Sequence, residues 1–334
     1  MIQIAVIGYG WAGRLHALAY RDNPDVELVG VVDPSSAAGE KSARELRVPY
    51  YQDLAALLAT QKVTAVSVCT PADTHYEVVC TCLAHGLHVL CEKPLARSPQ
   101  EAAGMIELAR AKDLLLFVHH NQRFATAFQM AKEELRGEKI HYLVAAMYQH
   151  GPKKLRPPTI DRYFLVTDAA CHLFDTIRFL HTDPMEVYAV GTYLESELLA
   201  DLIVNLKFPD GSIGSLVTTF VGGMLETQHP FQHFELVTDK KRMVIENMSD
   251  RLVVYPHAEP WQRVWMPSYF APRDYTASMK AAVDAWVRTL KAKITGQPPD
   301  PGLPSAVSAE DGLAVVNLGA AVIRSLEEGR PIRL

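Results

Sequence analysis

The sequence predicts an α/β protein: an N-terminal, doubly wound parallel sheet of the Rossmann type, followed by a second α/β domain built on a mostly antiparallel sheet. Three observations carry this. The apolar run Ile2–Ile7 enters Gly8-Tyr9-Gly10-Trp11-Ala12-Gly13 and then a helical stretch. Up to His120, short apolar runs alternate with helical segments of about a dozen residues, the pattern of βαβ units. From Met185 to Tyr255 strand signals follow one another around turn residues.

The first strand, Ile2-Gln3-Ile4-Ala5-Val6-Ile7, is apolar enough for the centre of a parallel sheet. In the loop after it, Gly8 allows a tight turn, Gly10 lets the backbone approach a pyrophosphate, and Gly13 lets the helix pack close to the strand. The helix start then presents unpaired N–H groups to anions. A second run, Val26–Val32, ends in Asp33, twenty residues after Gly13, where the fold hydrogen-bonds an adenosine ribose. Strand, glycines, helix, strand and acid in this order predict a dinucleotide site. Asp33 would repel a 2′-phosphate, which favours NAD; Lys41 and Arg44 nearby keep NADP open.

Residues 35–46 read as a helix, Val48 to Tyr51 as a short apolar element, and Asp53 as the N-cap of Leu54–Ala59. Val63 to Cys69 is a buried strand running into Thr70-Pro71-Ala72-Asp73-Thr74-His75. Strand carboxyl ends of this kind face ligands in open α/β sheets. A helix over 74–85 precedes the strand Leu87–Cys91, which ends in Glu92-Lys93-Pro94. Ser98 or Pro99 opens a helix to about Asp113, and Leu114 to Val118 is the sixth strand. In the later half, Phe124 to Arg136 reads as a helix, Ile140 to Tyr148 as a long strand, and Gly151 to Pro158 as a Pro- and Lys-rich loop. Asp168 to Leu180 has helical apolar spacing. Pro209-Asp210-Gly211 and Thr238-Asp239-Lys240-Lys241 mark hairpins. The sheet they imply has one face left to pack on helices or on a second subunit. Helices over Tyr275–Ile294 and Ser308–Glu327 close the chain.

A length of 334 residues suits two domains, and 49% hydrophobic with 21% charged residues is a globular mix. A net charge of −5, without a Lys/Arg run, argues against a nucleic-acid partner. No apolar stretch has the length of a membrane span. The N-terminus enters a strand without a basic leader and the five cysteines are an odd count, so a reducing cytoplasm is predicted.

Two groups beyond the glycine loop could carry chemistry. Lys93 sits at the strand edge from which a nicotinamide would be reached, where an ammonium can stabilise a substrate oxygen or relay a proton. Asp168 and His172, four apart, share a helix face, and a carboxylate beside an imidazole is a usual general-base arrangement. The plainer alternatives are a solvated lysine, a helix-capping aspartate and a core histidine. His75, Cys80, Cys82, His85 and His88 look like a metal cluster only as letters. Cys80 and Cys82 diverge on a helix and His88 begins the next strand, so no metal is predicted. His119 and His120 point to opposite faces of a strand.

Gly8-Tyr9-Gly10-Trp11-Ala12-Gly13, Cys69-Thr70-Pro71 with His75, Glu92-Lys93-Pro94, Asn121-Gln122-Arg123-Phe124 and Asp168-x-x-x-His172-x-x-Asp175 occur in that order. Together with the ending Glu328-Gly329-Arg330-Pro331-Ile332-Arg333-Leu334, the set resembles the Gfo/Idh/MocA family of sugar and cyclitol oxidoreductases. The resemblance implies an NAD(P)-binding Rossmann domain over 1–121. It implies a substrate-binding and oligomerisation domain over 122–334, with a large, mostly antiparallel open-faced sheet and a last helix that returns to the first domain. The implied catalytic residues are Lys93, Asp168 and His172. The implied cofactor contacts are Gly8, Tyr9, Gly10, Trp11, Ala12, Asp33, Thr70, Pro71, His75, Glu92, Lys93 and Arg123. In such enzymes the Lys-Pro bond after the glutamate is often cis. The chain departs from the family in having Arg162-Tyr163-Phe164-Leu165-Val166-Thr167 where many members carry a glycine-rich run, and in Cys171 before the histidine. Tyr148, Lys153, Arg156, Arg162 and Tyr163 are the substrate-contact candidates.

The expected activity is hydride transfer between nicotinamide and a hydroxyl or keto carbon of a sugar, polyol or similar small polar substrate, by a homodimer or homotetramer. The alternatives are an enzyme that retains NAD for elimination or epimerisation, and a non-catalytic NAD-binding regulator.

Overall fold

The computed structural model describes residues 1–149, 161–220, 231–247, 251–266, 275–298 and 300–334. The chain divides into two compact units, Met1–Asn121 with Met279–Leu313, and Gln122–Ser278 with Ala314–Leu334.

The first unit runs β1 (Ile2–Ile7), α1 (Trp11–Arg21), β2 (Val26–Val32), α2 (Ser36–Leu46), β3 (Tyr50–Tyr51), α3 (Leu54–Thr60), β4 (Ala65–Val68), α4 (His75–Ala84), β5 (His88–Glu92), α5 (Pro99–Ala111) and β6 (Leu116–His119). Its strands pair in parallel in the order β3-β2-β1-β4-β5-β6. That order reverses direction between β1 and β4, the point where doubly wound sheets open a crevice for ligands. Local chemistry sets the helix starts. The side chains of Ser35, Asp53 and Ser98 each accept from a backbone N–H three residues on. Pro99 sits at the first turn of α5, and Glu101 reaches back to the Arg97 N–H. Each cap of this kind contributes about 1 kcal/mol.

The second unit contains α6 (Thr126–Glu134), β7 (Ile140–Tyr148), α7 (Cys171–Leu180), β8 (Glu186–Tyr193), β9 (Leu199–Lys207), β10 (Ile213–Thr219), β11 (Phe231–Thr238), β12 (Lys241–Glu246), β13 (Arg251–Pro256) and β14 (Arg263–Trp265). α8 (Tyr275–Thr295), α9 (Ala309–Glu328) and β15 (Ile332–Arg333) follow. Among the described residues this sheet has nine strands, ordered β14-β13-β12-β11-β7-β10-β9-β8-β15. It is antiparallel except where β10 runs parallel to β7. Gly211, at φ +88, makes the β9–β10 turn that Pro209-Asp210-Gly211 signals. One face of the sheet is buried through Leu143, Ala145, Val204, Leu216, Phe234 and Leu236. The opposite face carries Tyr142, Tyr188, Val190 and Ile203 in the open.

Two features differ from the sequence reading. The helix expected from Asp168 begins earlier, with a π-helical segment Leu165–Ala170 that continues into α7. α8, for which the sequence reading singled out no return to the first domain, belongs to the first unit from Met279 on, as do the first residues of the last helix. Val283, Trp286, Val287 and Leu290 of α8 join the buried cluster of Ile4, Val6 and Tyr20. Trp286 packs against Phe117 with ring centroids 5.5 Å apart. Burying an apolar stripe with a full indole on it outweighs chain order. Of α9, residues up to Leu313 belong to the first unit and the remainder to the second.

Candidate active site

The glycine loop is shaped by contacts that tolerate no side chain. Gly8 has φ +90, and a Cβ there would stand 2.6 Å from the Cys69 carbonyl oxygen. A Cβ on Gly13 would stand 1.8 Å from the Gly8 carbonyl oxygen, whereas one on Gly10 meets nothing within 4 Å. Gly10 is also the N-cap of α1 and offers no side-chain cap, so the first N–H groups of the helix are left for a ligand. At the end of β2, Asp33 is held by two backbone donors: the Tyr9 N–H to Oδ2 and the Ser35 N–H to Oδ1, both at 2.8 Å. Beside them lies a cavity of about 740 Å³ lined by Gly8, Gly10, Asp33, Pro34, Thr70, Pro71, Thr74 and Val78, among others. Pro34, Gln52, Leu54 and Val78 were not singled out from the sequence; a pocket wall drawn from segments far apart in the chain leaves no local signal. The cradle, the open helix start and the fixed acid fit a dinucleotide.

Several expected cofactor contacts are placed differently. The Tyr9 side chain is buried and its hydroxyl donates to Glu45 at 3.0 Å, so it is the backbone of Tyr9 that orients Asp33. Trp11 is exposed and, with Arg14, Lys41 and Arg44, lines a neighbouring hollow. Lys41 and Arg44 are not among the residues lining the Asp33 cavity. His75 is buried, its ring nitrogens 2.8 Å from the Pro94 carbonyl and 2.9 Å from that of Thr70. It braces two loops rather than lining the cavity. Glu92 is the last residue of β5, not part of the loop after it, and its carboxylate is turned into the interior.

There Glu92 meets His119 and also His16, which the sequence reading passed over. One carboxylate oxygen, Oε1, lies 2.9 Å from His16 Nε2 and 2.8 Å from His119 Nδ1. The other, Oε2, accepts the Lys93 backbone N–H at 3.1 Å. His16 Nδ1 is 3.0 Å from Ser67 Oγ, which is 2.6 Å from the Tyr20 hydroxyl. The three groups His16, Glu92 and His119 fall within 4.8 Å of one another. Their spacing on a single oxygen is that of hydrogen bonds, since two ligands of one tetrahedral zinc stand roughly 3.3 Å apart. The Lys93–Pro94 peptide bond that follows is cis.

Burial pushes His16 down to about 4, with the facing His119 adding to it. Burial opposes the charge on Glu92, but the two imidazoles outweigh it and hold the carboxyl well below its usual range. Both groups act in the same direction. Between pH 6.5 and 4 the unfolded chain protonates His16 while the folded chain does not, so stability falls as pH falls. That linkage amounts to roughly 3 kcal/mol once pH is below the folded value. Thermal melts are expected to show a steady loss of melting temperature across this window, and His16→Gln should flatten it; an unchanged slope would contradict the assignment.

In the second unit, Asp168 lies in the π-helical segment and His172 in the first turn of α7. π-Turns inside helices occur frequently at functional sites. His172 is buried, at 8% exposure. The Thr176 hydroxyl donates to the His172 carbonyl at 2.9 Å. One turn on, Asp175 is buried and takes the Arg123 guanidinium, with Nε at 2.8 and 2.9 Å from its two oxygens. This pairing ties Arg123 to α7. Arg162 stacks on the Tyr193 ring at 4.6 Å, and the Tyr163 hydroxyl donates to Glu327 at 3.1 Å. Both candidates are engaged inside their own unit. Tyr148 is half-buried at the end of β7, opposite Thr219 and Phe231. Lys153 and Arg156 lie outside the described residues.

A dinucleotide cradle on a 3-2-1-4-5-6 sheet, joined to a second unit with a broad antiparallel sheet, defines a two-domain nicotinamide-dependent oxidoreductase. Residues 2–120 match the profile of the Gfo/Idh/MocA oxidoreductase family with an NAD-binding Rossmann fold. Along its whole length it is similar to the myo-inositol 2-dehydrogenase of Thermotoga maritima, at 29% identity over 100% of this chain and 98% of the relative. It is also similar to the inositol 2-dehydrogenase of Rhizobium meliloti, at 23% identity over 100% and 99% of the two chains. The crystal structure of a probable dehydrogenase from Thermotoga maritima superposes with a TM-score of 0.80 at 28% identity, covering 99% of each chain. The protein is an NAD(P)-dependent dehydrogenase or reductase.

Proposed function

We propose that the protein oxidises a ring hydroxyl of a cyclitol or sugar with NAD, or reduces the corresponding ketone, with Lys93, Asp168 and His172 as the working groups. What supports the reading is that one chain carries a dinucleotide cradle, Lys93 directly after β5 and Asp168 and His172 on either side of the start of α7, and is similar along its length to an inositol dehydrogenase. Gly8, Gly10 and the N-terminus of α1 would hold the pyrophosphate, and Asp33 the adenosine ribose. Bound NAD would supply the hydride acceptor. His172 would take the hydroxyl proton as the carbon-bound hydrogen leaves, Asp168 would orient the imidazole or hold a neighbouring hydroxyl, and Lys93 would polarise the reacting oxygen. The protein's part is position and charge.

The test is a screen of cyclitols, aldoses and sugar acids with NAD and NADP in parallel, following reduced nicotinamide. Net reduction with NAD, at least about tenfold favoured over NADP through Asp33, is expected. Copurifying cofactor with substrate turnover and no net reduced nicotinamide would instead favour internal redox catalysis.

The open sheet face is the surface on which a second copy would pack. The cross-strand row Val190, Ile203, Val217 and Ala146 is apolar on four adjacent strands, and exposed patches of this kind mark association sites. Light scattering is expected to give a dimer or tetramer, and Ile203→Glu a smaller species; a monomeric wild type would contradict this. All five cysteines are free, in keeping with a reducing cytoplasm.

A further inference from the structure

The hollow beside the Asp33 cavity measures about 690 Å³, and the two share Gly10 as a wall. Arg14 of α1 and Lys41, Arg44 and Glu45 of α2 line it, next to the exposed Trp11. Three cations thus stand against one acid. An excess of positive charge beside the glycine loop fits an anion.

The acid is fully engaged. Arg14 Nε donates to both Glu45 oxygens, at 2.7 and 2.8 Å, and Arg14 Nη2 donates to Oε1 as well. The Tyr9 hydroxyl donates to Oε2 at 3.0 Å. The Arg14 hydrogen bonds hold the Glu45 carboxyl below its ordinary range, so it stays charged. Tyr9 also donates its main-chain N–H to Asp33 Oδ2 at 2.8 Å. One residue therefore ties both acids, and it brings the hollow up to the place where the ribose 2′-oxygen meets Asp33. In this fold a nearby arginine is what accommodates a 2′-phosphate.

We propose that the hollow is a subsite for the 2′-phosphate of NADP and that Glu45 keeps it shut by occupying Arg14, which makes Glu45 a second determinant of coenzyme choice beside Asp33. A phosphate binds best to the planar fork of a guanidinium, and Glu45 already fills an edge of that fork. Arg44 is shared with Glu40, 3.5 Å away, and both Arg44 and Lys41 are exposed. Solvent and salt screen such charges, so by themselves they recruit a phosphate weakly. Losing the Glu45 charge would free Arg14 without disturbing Asp33.

This inference rests on the adenosine ribose lying at Asp33, so its experiment reads nucleotide binding without turnover. The full-length protein is titrated by calorimetry with adenosine 5′-monophosphate and with adenosine 2′,5′-bisphosphate. Glu45→Gln keeps an acceptor for Tyr9 and is expected to tighten the bisphosphate about tenfold while the monophosphate stays within about twofold. Adding Arg14→Met makes the pair neutral again, so the double variant should return to within about threefold of the wild type. Lys41→Gln in the otherwise unchanged protein should weaken the bisphosphate about threefold and leave the monophosphate alone. Unchanged or weaker bisphosphate binding in Glu45→Gln overturns the proposal. So does a gain that survives Arg14→Met, because Glu45 would then act as a bare repulsive charge. An indifferent Lys41→Gln overturns the hollow as the place of the phosphate, whether or not the Glu45 variants fold. Failure of both nucleotides to bind the wild type would instead strike the ribose placement at Asp33, and the inference with it.

Discussion

Replacing Gly13 by alanine is expected to lower NAD affinity at least about a hundredfold and to destabilise the fold by roughly 3 kcal/mol or more. The new methyl would stand 1.8 Å from the Gly8 carbonyl oxygen and 2.9 Å from its carbon, and both are backbone atoms that no rotamer change can move. α1 would have to lift from the loop that cradles the pyrophosphate. Gly10→Ala is the internal control, because its Cβ meets nothing of the protein within 4 Å. It should leave the melting temperature within a degree or two while still weakening NAD, whose phosphates approach there. Calorimetry and thermal melts on the two variants check this. Equal effects of both on stability, or near wild-type affinity in Gly13→Ala, would mean that the loop is not a packed cradle.

The second large effect belongs to the proton-handling groups. Lys93→Ala and His172→Ala are each expected to lower kcat by about a thousandfold, the range of general acid–base and electrostatic contributions. The double variant should cost far less than the product of the two, since groups that serve one step fail together. NAD binding should survive in both, because neither residue lines the Asp33 cavity. Steady-state kinetics with the best substrate, alongside NAD titrations, separates the effects. Retained turnover in both variants would remove the acid–base assignment and leave the dinucleotide fold standing.

The parts of this protein that were legible in the sequence are those whose physics is local. The glycine loop, the acid ending β2, the N-caps at Asp53 and Ser98 and the turn at Gly211 each rest on a few neighbouring residues. The helix carrying His172 was legible, but the π-turn before α7 was not, because apolar spacing does not distinguish an i→i+5 turn from the start of an α-helix. The parallel pairing of β10 with β7 and the return of α8 depend on contacts between distant segments, which no window of sequence contains. His16 is the clearest case. It reads as an ordinary polar residue in α1, and its partner Glu92 is 76 positions away. Glu92, Arg123 and His75 were singled out for a cofactor, and the protein groups their side chains meet lie far off in the sequence. Each carries a side chain that binds protein rather than lining the cofactor cavity.

The claim that most needs testing is that a hydrogen passes from a ring carbon of the substrate to nicotinamide. Carbon-deuterated myo-inositol, or the best cyclitol or sugar from the screen in deuterated form, would be turned over with NAD and the reduced nucleotide recovered for mass analysis. The account predicts a reduced nucleotide heavier by one deuterium. Reduced nucleotide without deuterium, or none formed from any cyclitol or sugar, would contradict it.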